Sequence, residues 1–95
     1  MRFEWDENKS ISNLRKYRVS FETAMLVFED PNCLSEQDCE VDGEVRWRTI
    51  GMIDGVLILF VAHTVKWQEE EVVRIISARK ATAGERREYE EEAYR

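Results

Sequence analysis

Cations spaced along the chain are the residues with the clearest chemical potential. Arg46 and Arg48 share one face of a candidate strand, and Lys66 ends the next. Arg74 and Arg79 lie in the strand after that, with Lys80 adjoining, while Lys9 and Lys16 fall on one side of a helix after two turns. Guanidinium and ammonium groups mounted on rigid elements suit a phosphate. Cutting RNA without a metal needs such groups. The 2′-oxygen attacks the adjacent phosphorus, negative charge develops on the phosphoryl oxygens, and one proton must leave while another arrives. Lys and Arg meet the charge requirement, but the proton carrier is less evident. His63 is the only histidine, and on a central apolar strand it reads first as a half-buried structural side chain. Each arginine, taken alone, reads as a partner for one of the many glutamates.

Other chemistries find little support. There is no Gly-rich phosphate loop, no nucleophile elbow and no Cys/His set with metal spacing. Cys33 and Cys39 lie in or beside one strand and read as reduced thiols. Acidic residues at alternate positions from Glu36 to Glu44 sit in a line rather than around an ion, so they read as a solvated sheet edge that discourages strand pairing. The net charge of −6 argues against indiscriminate nucleic-acid binding. Its distribution, with acidic blocks at 36–44 and 88–92 flanking the cations, allows a basic patch on an acidic protein. No cofactor signature is visible, and the longest apolar run, Val56–Ala62, is too short to cross a bilayer. The chain opens without a basic leader and long apolar stretch, so the expected location is cytoplasmic.

The elements that must position these groups follow from periodicity. With 95 residues, 43% of them hydrophobic and only one proline, the chain makes a single domain over residues 1–95. Arg2 to Trp5 alternates as a short strand, and Asp6 caps a helix from Glu7 to about Lys16, with Ile11 and Leu14 as its apolar face. Ser20 caps a second helix with Phe21, Ala24, Met25 and Phe28 at helical spacing, stopped by Asp30-Pro31. Period two then takes over. Strands at Leu34–Val41, Glu44–Ile53 and Val56–Thr64 are joined by Asp42-Gly43 and Asp54-Gly55 turns, and the third is apolar enough to be central. After a loop at 68–70, the strand from Val72 to Ala81 leads into a Thr82-x-x-Glu85 capping box and a last helix, about Ala83 to Ala93. Strict alternation puts Arg74 and Arg79 on opposite faces of that strand unless a bulge intervenes. The last helix has few apolar residues, chiefly Ala83, Tyr89, Ala93 and Tyr94, and is expected to be loosely held. The order β-α-α-β-β-β-β-α predicts an α+β domain, with helices packed on a twisted, mainly antiparallel sheet of four to five strands.

Two blocks of residues carry a family resemblance. Phe3-Glu4-Trp5-Asp6-Glu7-Asn8-Lys9, Asn13-x-x-Lys16, Val19-Ser20-Phe21-Glu22-x-Ala24 and Phe28-x-Asp30-Pro31 resemble the N-terminal half of BrnT toxins. Arg46-Trp47-x-x-Ile50-Gly51, His63-Thr64, the run Arg74 to Thr82 and Glu85-Arg86-x-x-Tyr89 resemble the remainder. The resemblance implies a RelE-like fold and a metal-independent endoribonuclease of a type II toxin–antitoxin module. It implies a BrnA-type antitoxin as partner, an RNA substrate, and DNA contact only through the antitoxin, with no membrane and no cofactor. Carried onto this chain, it makes Lys9, Lys16, Lys66, Arg74 and Arg79 the phosphate clamp, Tyr17 or His63 the proton carrier, and Arg46, Arg48 and Lys80 RNA contacts. The chain departs from the family pattern in places. Lys-His-Gly becomes Lys16-Tyr17-Arg18, which exchanges an imidazole for a phenol and a turn glycine for an arginine. Thr-x-Arg becomes Thr64-Val65-Lys66, which keeps the charge and loses the bidentate fork. A non-catalytic module that only binds the antitoxin in a repressor complex is the alternative.

Overall fold

The computed structural model describes residues 1–93; Tyr94, assigned above to the last helix, lies outside the described residues. Strand β1 (Arg2–Glu4) precedes helices α1 (Glu7–Tyr17) and α2 (Phe21–Met25), the latter running into a 3-10 turn, Leu26–Glu29. Strands β2 (Leu34–Val41), β3 (Glu44–Ile53), β4 (Leu57–Gln68) and β5 (Glu70–Lys80) follow, then helix α3 (Ala83–Ala93). The five strands form one sheet in the order β1-β5-β4-β3-β2, all antiparallel except β1, which runs parallel to β5. The apolar strand is central, as its sequence predicts.

Local signals act as expected at most junctions. The Asp6 carboxylate accepts from the Asn8 and Lys9 N–H groups, and the Ser20 hydroxyl accepts from Thr23 N–H. Thr82 and Glu85 close a reciprocal box, with Thr82 N–H bonded to Glu85 at 2.9 Å and Glu85 N–H to Thr82 Oγ1 at 3.2 Å. Asp42-Gly43 and Asp54-Gly55 both take positive φ, as tight hairpins ask. Arg18, at the position where the resemblance implies a glycine, ends α1 in the left-handed conformation (φ 63°, ψ 25°). The turn is thus kept at a steric cost that glycine would not incur.

The core lies on one sheet face, called here the packed face. There Val19, Phe21, Ala24 and Val27 meet Leu59, Val61, Val73, Ile75 and Ala78. Gly51 permits the close approach of the 3-10 turn, because a Cβ there would stand 2.7 Å from Val27 Cγ1 and 3.0 Å from its carbonyl. Two expectations need correcting. Helix α1 does not bury Ile11 and Leu14, which are 45% and 48% exposed; it buries Ser10 and Asn13 instead. Both buried groups are polar but satisfied. The Phe21 N–H reaches Ser10 Oγ at 3.3 Å, and the Asn13 amide donates to the Val19 and Ala78 carbonyls at 2.8 and 2.7 Å.

Helix α3 is also held more firmly than its composition suggests. Tyr89 is buried in a second small core with Ile50 and Ile58, on the other face of the sheet. Its hydroxyl donates to Asp30 Oδ2 at 2.6 Å. One aromatic anchor with a polar tip substitutes for a long apolar stripe.

Candidate active site

The face opposite the main core is covered by α3 only at one end and is otherwise open. Its composition follows from register. Arg48 is opposite Ala62, Ala62 opposite Ser77, Phe60 opposite Arg79, and Thr64 opposite Arg74. Alternation adds Arg46 and Lys66 to the same face.

Arg74 and Arg79 share this face because of a single irregularity. Ala62 pairs with Ser77 but His63 pairs with Ile75, so Ile76 is an extra residue in β5. That bulge reverses the phase of alternation, which corrects the expectation of opposite faces in the direction that a bulge allows. Ile75 and Ala78 consequently both enter the main core, while Arg74, Ser77 and Arg79 look outward. The resulting floor is made of small side chains, Ala62, Thr64 and Ser77, between Arg48 on β3 and the arginines of β5. Two strand spacings make the trough about 10 Å wide.

Beyond the end of β1, Asn13 takes the place of the missing strand. Its amide donates to the Ala78 carbonyl and accepts the Ala78 N–H at 3.1 Å, so one side chain completes both ladder bonds of the residue before Arg79. The same helix end brings Tyr17 into electrostatic reach of Arg79 and sets Lys16 Nζ 5.0 Å from the Tyr17 ring centre. Lys16, Tyr17 and Arg79 therefore form one cluster at the sheet edge.

Most of the open-face cations already have carboxylate partners. Arg79 makes a two-pronged bond to Glu85 at 2.8 and 3.0 Å and stacks 4.2 Å over the Phe60 ring. That bond holds the Glu85 carboxyl below its usual range and raises Arg79. Arg48 bonds to Glu36 and, at 3.3 Å, to Glu88 of α3, and the Glu36 bond raises it. Lys66 stands 3.8 Å from Glu4 and Arg46 3.5 Å from Glu44. Arg74 has no ion pair among the described residues and lies in a cavity of about 410 Å³ with Glu4, Trp5, Asp6 and Glu7.

The remaining candidates stand apart. His63 is on the packed face, buried, with Nε2 2.7 Å from Thr49 Oγ1 and Nδ1 3.3 Å from the Thr64 carbonyl. Phe28 packs edge-on against it at 5.0 Å. Burial lowers its pKa below the ordinary imidazole value. The sheet separates it from the arginines. Lys9 is exposed on α1, and Lys80 is exposed at the end of β5 beside Ala81 and Arg86. Glu85, Glu88 and Asn13 were not singled out as site residues from sequence. The capping box marks Glu85, but nothing in its spacing reveals that the same carboxylate also holds Arg79.

Fold and face together define a small α+β domain with a row of cations, Arg46, Arg48, Lys66, Arg74 and Arg79, along one open side of its sheet. The chain belongs to the BrnT family: residues 5–85 match the family described as the ribonuclease toxin, BrnT, of type II toxin–antitoxin systems. The 1.1 Å crystal structure of the Brucella abortus ribonuclease toxin BrnT is similar, with a TM-score of 0.66 and 29% sequence identity. That likeness covers 86% of this chain and 97% of the Brucella chain. Among curated proteins, none matches significantly. No helix among the described residues is long and apolar enough to cross a membrane.

Proposed function

We propose that this protein is an active toxin that cleaves RNA without a metal and is silenced by a BrnA-type antitoxin. The observation that carries the reading is the placement of Arg74 and Arg79 on one sheet face, flanked by Arg48 and Lys66 over a floor of small side chains. A single RNA strand lies along that trough. Arg74 and Arg79 neutralise successive parts of its backbone as the 2′-oxygen bonds to phosphorus and the bond to the 5′-oxygen breaks. The 2′-proton leaves, and a proton returns to the departing oxygen. Tyr17, at the rim and within electrostatic reach of Arg79, can carry that proton, whereas His63 is on the far side of the sheet. Substrate phosphate takes Arg79 from Glu85 and Arg48 from Glu88. Lys16 approaches the strand from the end of α1 and Arg46 extends the track, while Lys9 and Lys80, the latter opposite Leu59 of the packed face, stay outside it. The antitoxin, rather than this chain, contacts DNA.

Purified protein incubated with RNA in the presence of a chelator tests the reading. Cleavage that falls by at least a hundredfold in Arg79→Ala and in Arg74→Ala, with folding retained, is the expected result. The alternative, a module that binds antitoxin and cuts nothing, is favoured by one specific observation: Arg79 and Arg48 are already neutralised by Glu85, Glu36 and Glu88. RNA left intact at high protein concentration, together with antitoxin binding, would establish that alternative.

A further inference from the structure

The packed face of the sheet is only half packed. Helices α1 and α2 and the 3-10 turn cover the end near Leu59 and Val61, while the strands run on past them towards the Asp42-Gly43 and Glu69 turns. Alternation places Val45 and Trp47 of β3 and Val65 and Trp67 of β4 on this uncovered part. Trp67 is 75% exposed, and Val45 and Val65 are exposed too. Beside Trp47 and Val65, adjoining the exposed Val45 and Trp67, lies a cavity of about 250 Å³ bounded also by Phe28, His63 and Glu71, which has room for one large apolar side chain.

Charge identifies what covers it. Glu40 is opposite Val45 and Glu71 opposite Trp67, so each apolar edge has a carboxylate beside it, with Glu69 at the adjoining turn. Among the described residues, none of these three carboxylates has an ion pair; each ion pair found uses a cation of the open face. A second copy of this chain would set the same carboxylates against one another, and the chain's net charge of −6 adds to that repulsion. A partner with basic residues around an apolar ridge satisfies both halves of the surface.

We propose that this acid-rimmed apolar patch is the anchor site for a basic amphipathic helix of the antitoxin. One large apolar side chain fills the cavity against Trp47 and Phe28, and flanking Lys or Arg side chains meet Glu40, Glu69 and Glu71. The proposal rests on the reading of this protein as an antitoxin-bound toxin, and it separates anchoring from silencing. The anchor is on the face opposite the arginines, so the helix itself blocks no cation.

The test measures antitoxin affinity and RNA cleavage on the same proteins. The antitoxin encoded beside this chain's gene is titrated against the parent, Trp67→Ser, Val65→Ser, Glu71→Gln and, as a control on another exposed apolar pair, the Ile11→Ser/Leu14→Ser double variant. Tryptophan fluorescence and circular dichroism confirm the fold of each. Weakening of about tenfold or more in Trp67→Ser and Val65→Ser, a smaller and salt-dependent weakening in Glu71→Gln, and no change in the control are expected. RNA cleavage by free Trp67→Ser should equal that of the parent. Unchanged affinity in the patch variants overturns the proposal, as does a concentration-dependent dimer that Trp67→Ser abolishes, which would assign the surface to a second copy. Binding lost in the variants of a protein that cuts no RNA would keep the anchor and remove the nuclease reading; cleavage with unaltered binding would do the reverse.

Discussion

His63 stands in a position that one sequence cannot disclose. Its strand alternation is readable, but whether the ring meets solvent, substrate or core depends on the 3-10 turn that brings Phe28 over it. Buried and bonded to Thr49 and the Thr64 carbonyl, it has its pKa lowered by burial, an effect only partly offset by the carbonyl. In the unfolded chain the imidazole takes up its proton near pH 6.5. The unfolded state therefore binds that proton first, so stability is complete above about pH 6.5 and falls as the pH drops below it, by up to about 1.4 kcal/mol per pH unit. Urea midpoints at pH 7.5 and 5.5 should fall further for the parent than for His63→Gln. Equal falls would assign the acid sensitivity to other groups. Tyr17 carries the companion prediction for activity. Tyr17→His puts a group that titrates near neutrality beside Arg79 and should raise cleavage at pH 7 severalfold. A variant no faster than the parent would show that the proton travels by another route. The cations themselves were legible as residue types and spacing, because alternation and charge are local. Their carboxylate partners were not, since Glu4, Glu36 and Glu88 reach them from distant parts of the chain.

Elements were easier to read than the way they meet. Caps and hairpin turns announce themselves within four residues, and Asp6, Ser20, Thr82 and both Asp-Gly pairs act as their chemistry dictates. The bulge at Ile76 has no such local mark, as its cause is the need to keep both Ile75 and Ala78 in the core. Helix α1 misleads for the opposite reason. Its apolar residues point outward, and its buried stripe consists of Ser10 and Asn13, whose value comes from backbone groups that only the tertiary fold supplies. At α3 the revised expectation is that residues 83–93 are protected from amide exchange even without antitoxin. Tyr89→Phe should cost about 1 kcal/mol and speed exchange in α3, since it removes one donor from Asp30 and leaves the ring. Exchange as slow as in the parent would show that the ring alone secures the helix. Where the 3-10 turn crosses β3, Gly51→Ala should destabilise the protein by about 1–3 kcal/mol, because the new methyl meets the Val27 backbone as well as its side chain. Thermal unfolding unchanged by that methyl would mean that the turn shifts away freely.

Across the whole molecule, the sheet sets its arginines on one face and an uncovered apolar patch on the other. An overall charge of −6 conceals this arrangement, because Arg46, Arg48, Lys66, Arg74 and Arg79 lie on the open face, while Glu40, Glu69 and Glu71, without ion pairs among the described residues, rim the uncovered apolar patch. Arg74 and Arg79 are opposite residues four apart on β4, about 13 Å along the strand, so in the proposed RNA track each would meet a different phosphate. Cleavage should accordingly weaken as salt rises, and Arg74→Ala should lessen that dependence. A slope indifferent to Arg74 would remove it from the track.

The parallel pairing of β1 with β5 joins Arg2 to Val72 across most of the chain. A ribosome releases residues in order, so β1 waits unpaired until the segment bearing Arg74 and Arg79 has emerged. The sheet that bears Arg74 and Arg79 is therefore completed late, and under the proposed function no RNA-cutting face exists before that point. Stalled nascent chains exposing residues 1–70 should leave RNA untouched, and chains exposing the full length should cut it.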